Sequence, residues 1–266
     1  MELFDSHAHL NDEKFDNDRD EIIKQIKKSG ITRFITAGYN LSSSIKALEL
    51  SQKYNFIYAT SGISPNDIPE NPQDEEILWK DIQKIEEIIQ KDHFKKIVAI
   101  GEIGLDYYWE KEEEKRNLQK KAFIKQIELA NKLQLPIVIH TRDAVMDTIQ
   151  ILKEHNVNKK GVFHCCPQNR ELIKEGLKLG FYISFAGPIT FKNSKNADEM
   201  INLVPNDKIL IETDSPYLSP EPVRGTRNDP RNVRYIANKI AQVKKLSIEE
   251  IAQITYENTM KVFDIK

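Results

Sequence analysis

Apolar residues along this chain recur in two rhythms that take turns. Short runs dense in Ile, Val, Leu and Phe lie near 2–5, 31–37, 56–62, 97–102, 136–140, 161–164, 180–184 and 208–213. Longer segments follow them, near 18–29, 43–53, 75–91, 112–132, 143–155, 169–178, 196–203 and 231–245, with apolar positions three and four apart. Spacing of three to four lines one face of a helix, whereas compact apolar runs between turn residues suit buried strands. A strand followed by a helix, eight times over, is the order of a (β/α)8 TIM barrel, an α/β fold. An extra C-terminal helix is predicted near 248–262, opened by Ser247 and Glu250 in capping-box spacing and packed outside the barrel. The competing arrangement, an open doubly wound sheet, would carry a glycine-rich phosphate fingerprint after a strand, and none is present. With no repeat, low-complexity tract or linker, residues 1–266 are expected to form one domain.

Composition narrows the class. With 39% hydrophobic and 30% charged residues the chain can bury a core and stay soluble. A formal net charge of −2 and a pI near 6.3 argue against broad electrostatic capture of duplex nucleic acid, while leaving room for a local basic patch. No charged-then-apolar leader opens the chain and no apolar run reaches about 18 residues, so secretion and membrane spanning are not expected and a cytoplasmic location is. The two cysteines, Cys165 and Cys166, are adjacent and build no disulfide framework, in keeping with a reducing compartment.

The histidines change the picture most. In Phe4-Asp5-Ser6-His7-Ala8-His9 the period of two turns Asp5, His7 and His9 to one face of a strand end, where two imidazoles converge and Asp5 is placed to orient a ring from behind. Of the six histidines, His140 and His164 also end predicted strands. Glu102 ends the fourth strand and Asp214 follows the eighth. His93 and His155 lie near helix ends, where the helix dipole explains them. Barrel active sites sit at the carboxyl ends of the strands, so four imidazoles and two carboxylates are expected to share one rim. That is more than one tetrahedral ion needs, and two divalent ions bridged by Glu102 are the better inference. Mixed imidazole and carboxylate ligation accepts zinc, manganese, cobalt or magnesium.

Longer stretches carry a resemblance. Gly101-Glu102-Ile103-Gly104-Leu105-Asp106-Tyr107, Ile139-His140-Thr141-Arg142-Asp143-Ala144, His164-Cys165 and Ile211-Glu212-Thr213-Asp214-Ser215-Pro216-Tyr217-Leu218, with His7-Ala8-His9, are similar to the signatures of the TatD family of metal-dependent hydrolases. Phe15-Asp16-Asn17-Asp18-Arg19-Asp20 and Arg224-Gly225-Thr226-Arg227-Asn228 extend the likeness over nearly the whole chain. The resemblance implies a barrel of the amidohydrolase superfamily, two divalent ions and hydrolysis of DNA. It also implies that His7, His9, Glu102 and Asp214 hold one ion, and Glu102, His140 and His164 the other. Two stretches depart from the family pattern. Gly62-Ile63-Ser64-Pro65-Asn66 stands where the family usually has Gly-Ile/Val-His-Pro-His, and His164-Cys165-Cys166-Pro167-Gln168 where it has His-Cys-Phe-Ser/Thr-Gly.

The expected chemistry is metal-assisted hydrolysis of a phosphodiester, with Asp214 orienting the attacking water and receiving its proton and Glu102 bridging the ions. Arg142, Arg224, Arg227 and Arg231 follow strands five and eight and are placed to grip phosphates, and the Ser64 hydroxyl can donate to one. Asp106 and Glu212 are candidates to support the ligands or to form ion pairs inside the barrel. Tyr107, Tyr108 and Trp109 offer stacking surfaces for bases or ordinary packing. A modest net charge favours strand ends or single strands of DNA over a long duplex footprint, and points to a 3′-5′ exonuclease, with RNA as a further possible substrate. The alternatives are a deacylase acting on a carbonyl substrate such as aminoacyl-tRNA, and a barrel retained as a binding scaffold.

Overall fold

A computed structural model describes every residue, 1–266. Eight parallel strands stand side by side in chain order: β1 (Leu3–Ala8), β2 (Ile31–Ala37), β3 (Ile57–Ser61), β4 (Ile97–Asp106), β5 (Ile137–Arg142), β6 (Gly161–Phe163), β7 (Tyr182–Phe185) and β8 (Ile209–Ile211). Helices α1 (Arg19–Lys28), α2 (Leu41–Lys53), α3 (Glu75–Gln90), α4 (Glu113–Leu133), α5 (Val145–Glu154), α6 (Arg170–Lys178), α7 (Ala197–Leu203) and α8 (Val233–Lys244) follow the strands one by one. This is the (β/α)8 TIM barrel expected from the alternation, and strand order 1 to 8 excludes the doubly wound sheet. Helix faces predicted from the spacing are the buried ones: Ile22, Ile23 and Ile26 in α1, and Leu78, Ile82 and Ile85 in α3. No helix is long and apolar enough to cross a membrane.

The strand-to-helix packing forms one apolar cluster of 51 buried residues. A second cluster draws on the strands themselves, with Phe4, Ile35, Val98, Val138, Val162, Tyr182 and Leu210 meeting one another. Side chains from strands all round a barrel can touch only in its interior, so this cluster fills the lower end. The last helix, α9 (Ile248–Val262), opens on the expected Ser247–Glu250 capping box. It does more than pack outside: Val262, Phe263 and Ile265 at its end join the interior cluster and plug the barrel below.

The barrel closes between β8 and β1 through a mixed seam. The backbone N–H of Asp214 donates to His7 O (2.9 Å) and that of His9 to Ser215 O (2.6 Å). The Ser6 hydroxyl donates to Ile211 O (2.9 Å), and Asp5 accepts from the Thr213 N–H (2.9 Å) and hydroxyl (2.5 Å). Asp5 therefore ties two strands together and does not stand behind an imidazole, which corrects the expectation above.

Pairing register slips between Asp5 and Ala8 in β1 and between Ile100 and Ile103 in β4. Such irregularities re-aim side chains beside active sites, and these two bracket His7 and Glu102. β4 also runs four residues past Glu102, so that carboxylate sits within the strand, not at its end. Gly104 makes this continuation possible: its φ is +140°, and a Cβ there would lie 1.9 Å from His140 O on the neighbouring strand.

Candidate metal centre

His7, His9, Glu102, His140, His164 and Asp214 come together towards the carboxyl-terminal side of the barrel, at the bottom of a cavity of about 710 Å³. They fall into two groups around the two oxygens of Glu102. Oε2 lies 3.5 Å from His7 Nε2 and 3.6 Å from His9 Nε2. Asp214 Oδ1 completes that group, 3.2 Å from His9 Nε2 and 3.7 Å from His7 Nε2. Oε1 lies 3.0 Å from His140 Nδ1 and 3.4 Å from His164 Nε2, which are 3.3 Å from each other. The His7 ring stacks on His164 with centroids 4.1 Å apart, so the groups share a wall.

What lies behind two of the rings, His9 and His140, fixes which nitrogen carries the proton. His9 Nδ1 is 3.0 Å from Ala37 O, which accepts its proton and leaves a lone pair on Nε2. His140 Nε2 is 3.0 Å from Asp106 Oδ2, so Nδ1 presents the lone pair. His164 Nδ1 lies 3.3 Å from Glu212 Oε1, off the line of a good hydrogen bond, while that oxygen accepts the Cys165 N–H at 2.6 Å. His7 Nδ1 is buried without a partner. Asp106 and Glu212 thus each back one imidazole, a carboxylate–histidine pairing that suits metal ligands.

With those tautomers His9 Nε2 faces Asp214 and His140 Nδ1 faces Glu102 as acceptor against acceptor, an arrangement that repels unless a cation or protons intervene. Four ligands at metal distances of 2.0–2.1 Å in a tetrahedron stand about 3.3 Å apart, near the separations found here. The set of residues therefore fits divalent ions. Without an ion, protons take their place. Burial alone would lower the three histidines His9, His140 and His164, but Asp214 beside His9, Asp106 and Glu102 beside His140, and Glu102 beside His164 raise them above the usual imidazole value. Burial works to raise Glu102, and the His164 charge with hydrogen bonds from His140, His164 and His7 outweighs it, holding the carboxyl well below its usual range. His7, whose burial dominates, is lowered.

The cavity above this floor has two unlike sides. Tyr39, Ser64, Asn66 and Asp67 make a polar one, the last three committed internally: Ser64 donates to Asp67 (2.8 Å), Asn40 donates to Asp67 (2.7 Å) and Asn66 donates to Asp106 (3.2 Å). Ser64 therefore lines the cavity with its proton already given to Asp67. Cys166, Pro167, Pro188, Ile189 and Leu218 make the apolar side. Tyr39 and Asp67 were not anticipated. Asp67 lies three residues past Ser64, where the chain departs from the family pattern, but nothing local marks Tyr39.

The arginines part company. Arg142 lines the cavity, its guanidinium 3.6 Å above the Tyr108 ring and 5.6 Å from that of Trp109, with no carboxylate partner. Arg227 does not line it: the fork closes on Asp18 (2.9 and 2.5 Å) and on Lys14 O (2.6 Å), so the phosphate contact expected of it is taken up inside the protein. Arg231 is likewise paired with Asp229 at 2.8 Å. Arg224 lies off the cavity, 4.1 Å over the Phe191 ring. Tyr107 turns away and donates to Asp147 at 2.6 Å, while Trp109 and Tyr108 stay exposed at the rim.

Buried imidazoles and carboxylates converging beneath an open barrel mouth make a site of the kind a metal-dependent hydrolase of the barrel type requires. Comparison with known proteins sharpens this. A family model described as TatD related DNase matches residues 4–264, and the chain belongs to the TatD family. It is 43% identical over 264 residues to the uncharacterised metal-dependent hydrolase YabD of Bacillus subtilis, covering 99% of both chains. It is 32% identical over 267 residues to mouse TATDN3, whose name offers deoxyribonuclease as a candidate activity, covering 98% of this chain and 88% of that one. Among solved structures, the TatD homologue YJJV of Escherichia coli K12 superposes with a TM-score of 0.90 at 23% identity, covering 99% of this chain and 98% of the other, a likeness of fold.

Proposed function

We propose that the protein hydrolyses phosphodiester bonds of DNA, removing nucleotides from the 3′ end of single strands, with two divalent ions at the floor of the mouth. Glu102 carries this reading, because its two oxygens serve two separate sets of imidazoles. His7, His9 and Asp214 with Oε2 would hold one ion, and His140 and His164 with Oε1 the other. Bound there, the pair would polarise a phosphoryl oxygen and bring the pKa of water towards neutrality.

The chain's own groups supply the rest. Asp214, held below the usual carboxylate value by His9 and its neighbours despite burial, is ionised and placed to take a proton from attacking water. Arg142 is an unpaired cation lining the cavity that can meet the charge developing on phosphate. The wall of Cys166, Pro188, Ile189 and Leu218 excludes water from one side and suits the flat apolar faces of a sugar or base. One arginine lining the cavity, in a chain of net charge −2, supports a strand end as substrate over a long duplex. DNA as the polymer is supported by the family's description and by the mouse relative's name.

End-labelled single strands incubated with manganese test this. A ladder growing from the 3′ end, abolished by chelator and restored by metal, is the expected result. Cleavage of closed circles with no ladder would overturn the exonuclease reading. Release of amino acid from aminoacyl-tRNA with intact RNA and intact DNA would replace it with a deacylase.

A further inference from the structure

A second hollow, of about 480 Å³, opens beside the mouth and shares two of its lining residues, Gln168 and Pro188. It runs to Phe191, Asn193, Lys195 and Asn196, on the loop between β7 and α7. Lys195 is the cation lining it, beside the amides of Asn193 and Asn196 and that of Gln168, which donates to Ser194 Oγ. Lys192 and Lys195 are exposed and belong to no ion pair. Arg224 is exposed and lies flat on the Phe191 ring, Cζ 4.1 Å from its centroid, with no carboxylate partner. The acids that open α7 cannot cancel this charge, since Asp198 pairs with Lys239 at 2.5 Å and Glu199 with Arg170. Glu221, whose N–H donates to Thr190 Oγ1 at 2.9 Å, is the remaining carboxylate nearby, against three cations.

The contrast with the other mouth arginines is informative. Arg227 and Arg231 are neutralised by Asp18 and Asp229, so positive charge on this face is not spread evenly. It survives at Arg142 on one side of the metal floor and along the Phe191 groove on the other. Unpaired cations in and beside a groove, with an aromatic ring carrying a guanidinium, are the means by which proteins track a flexible polyanion without reading sequence.

We infer that this groove is a subsite for the body of a single nucleic-acid strand, holding the phosphates of nucleotides upstream of the end being cleaved. The inference deepens the phosphodiester reading above and rests on it for the identity of the polymer. Lys192, Lys195 and Arg224 grip successive phosphates, Asn193 and Asn196 donate to sugar or phosphate oxygens, and the strand passes over Gln168 and Pro188 to reach the ions. Substrates too short to reach Phe191 forgo these interactions.

Anisotropy of a fluorescent thymidine strand of about 12 nucleotides, a length within the usual single-strand site sizes, tests the groove on chelated full-length protein without any chemistry. A K192E/K195E variant is expected to bind about tenfold more weakly at moderate salt, and its slope of log affinity against log salt to flatten by about 1.4, roughly 0.7 for each phosphate no longer neutralised. With manganese added, its hydrolysis of bis(4-nitrophenyl) phosphate, too small to reach the groove, should equal that of the wild type. Unchanged affinity and slope would overturn the proposal, as would wild-type protein that prefers a duplex or polyglutamate to the single strand. If the charge reversal unfolds the chain, K195Q is judged by the same slope, with an expected flattening of about 0.7. Wild type that binds the strand with this salt dependence but cleaves neither substrate would refute the hydrolytic reading and leave the groove standing. Cleavage of both with variant-insensitive binding would refute the groove alone.

Discussion

At the floor of the mouth His7 is 1% exposed and lies among ligand-type residues, two of them held in turn by Ala37 and Asp106. At the rim Trp109 is 68% exposed and the Arg142 guanidinium rests against the Tyr108 and Trp109 rings without a carboxylate partner. Both regions serve one site under opposite conditions. Buried charge is costly unless paired, so a floor of this composition persists only as a set of mutually dependent groups. Exposed charge is cheap and screened, so rim residues act nearly one by one. Substitutions at the floor should therefore be severe and shared between sites, whereas those at the rim should be mild and separable.

The sharpest break is Glu102→Gln. It removes the charge common to both ligand groups, and turnover should fall by about 10³-fold or more with loss of bound metal. A variant that keeps wild-type kcat would dissolve the distinction between floor and rim. Asp106→Asn spares every ligand but leaves the His140 ring without its carboxylate, and metal affinity or kcat should drop by about 10- to 100-fold, read by competition with a chelating dye. At the rim, Trp109→Ala should raise KM for a single strand by about 1–2 kcal/mol of stacking while kcat stays near wild type. A fall in kcat instead would mean that the rim belongs to the floor.

Proton linkage offers a milder test. In chelated protein His9, His140 and His164 titrate above the ordinary imidazole value, and His7 alone runs the other way. A raised folded value gives stability that is complete below about pH 6.5 and is lost as pH climbs through the folded value. Melting temperature in chelator should therefore fall as pH rises above about 6.5. With divalent metal the trend should reverse, because the ion displaces those protons and binds better as they leave. Rising stability in chelator over that range would contradict this. Smallest of all, Arg227→Ala should cost no more than about 1 kcal/mol in stability, as expected for a largely exposed ion pair, and leave KM unchanged.

The floor was readable from sequence because its chemistry is local in type and global in rule. Histidine and carboxylate at the ends of successive apolar runs need only the barrel to bring them together. The rim was readable in residue type alone. Arg142 and Arg227 look alike in the chain, and what separates them is Asp18, over 200 residues away from Arg227, folded against it by the barrel seam. Asp5 misled for a related reason. Its alternation with His7 suggested a shared task, while the seam with Thr213 claimed both of its oxygens. Strand lengths slipped where β4 continues past Glu102, a continuation that depends on the missing side chain of Gly104 and the carbonyl of a neighbouring strand.

The claim beneath all of this is that one carboxylate joins two cation sites. Elemental analysis of protein dialysed against a divalent metal, wild type beside Glu102→Gln, measures it directly. Two ions per chain falling below one in the variant is the predicted result; a single ion in the wild type, or two retained without Glu102, would contradict it.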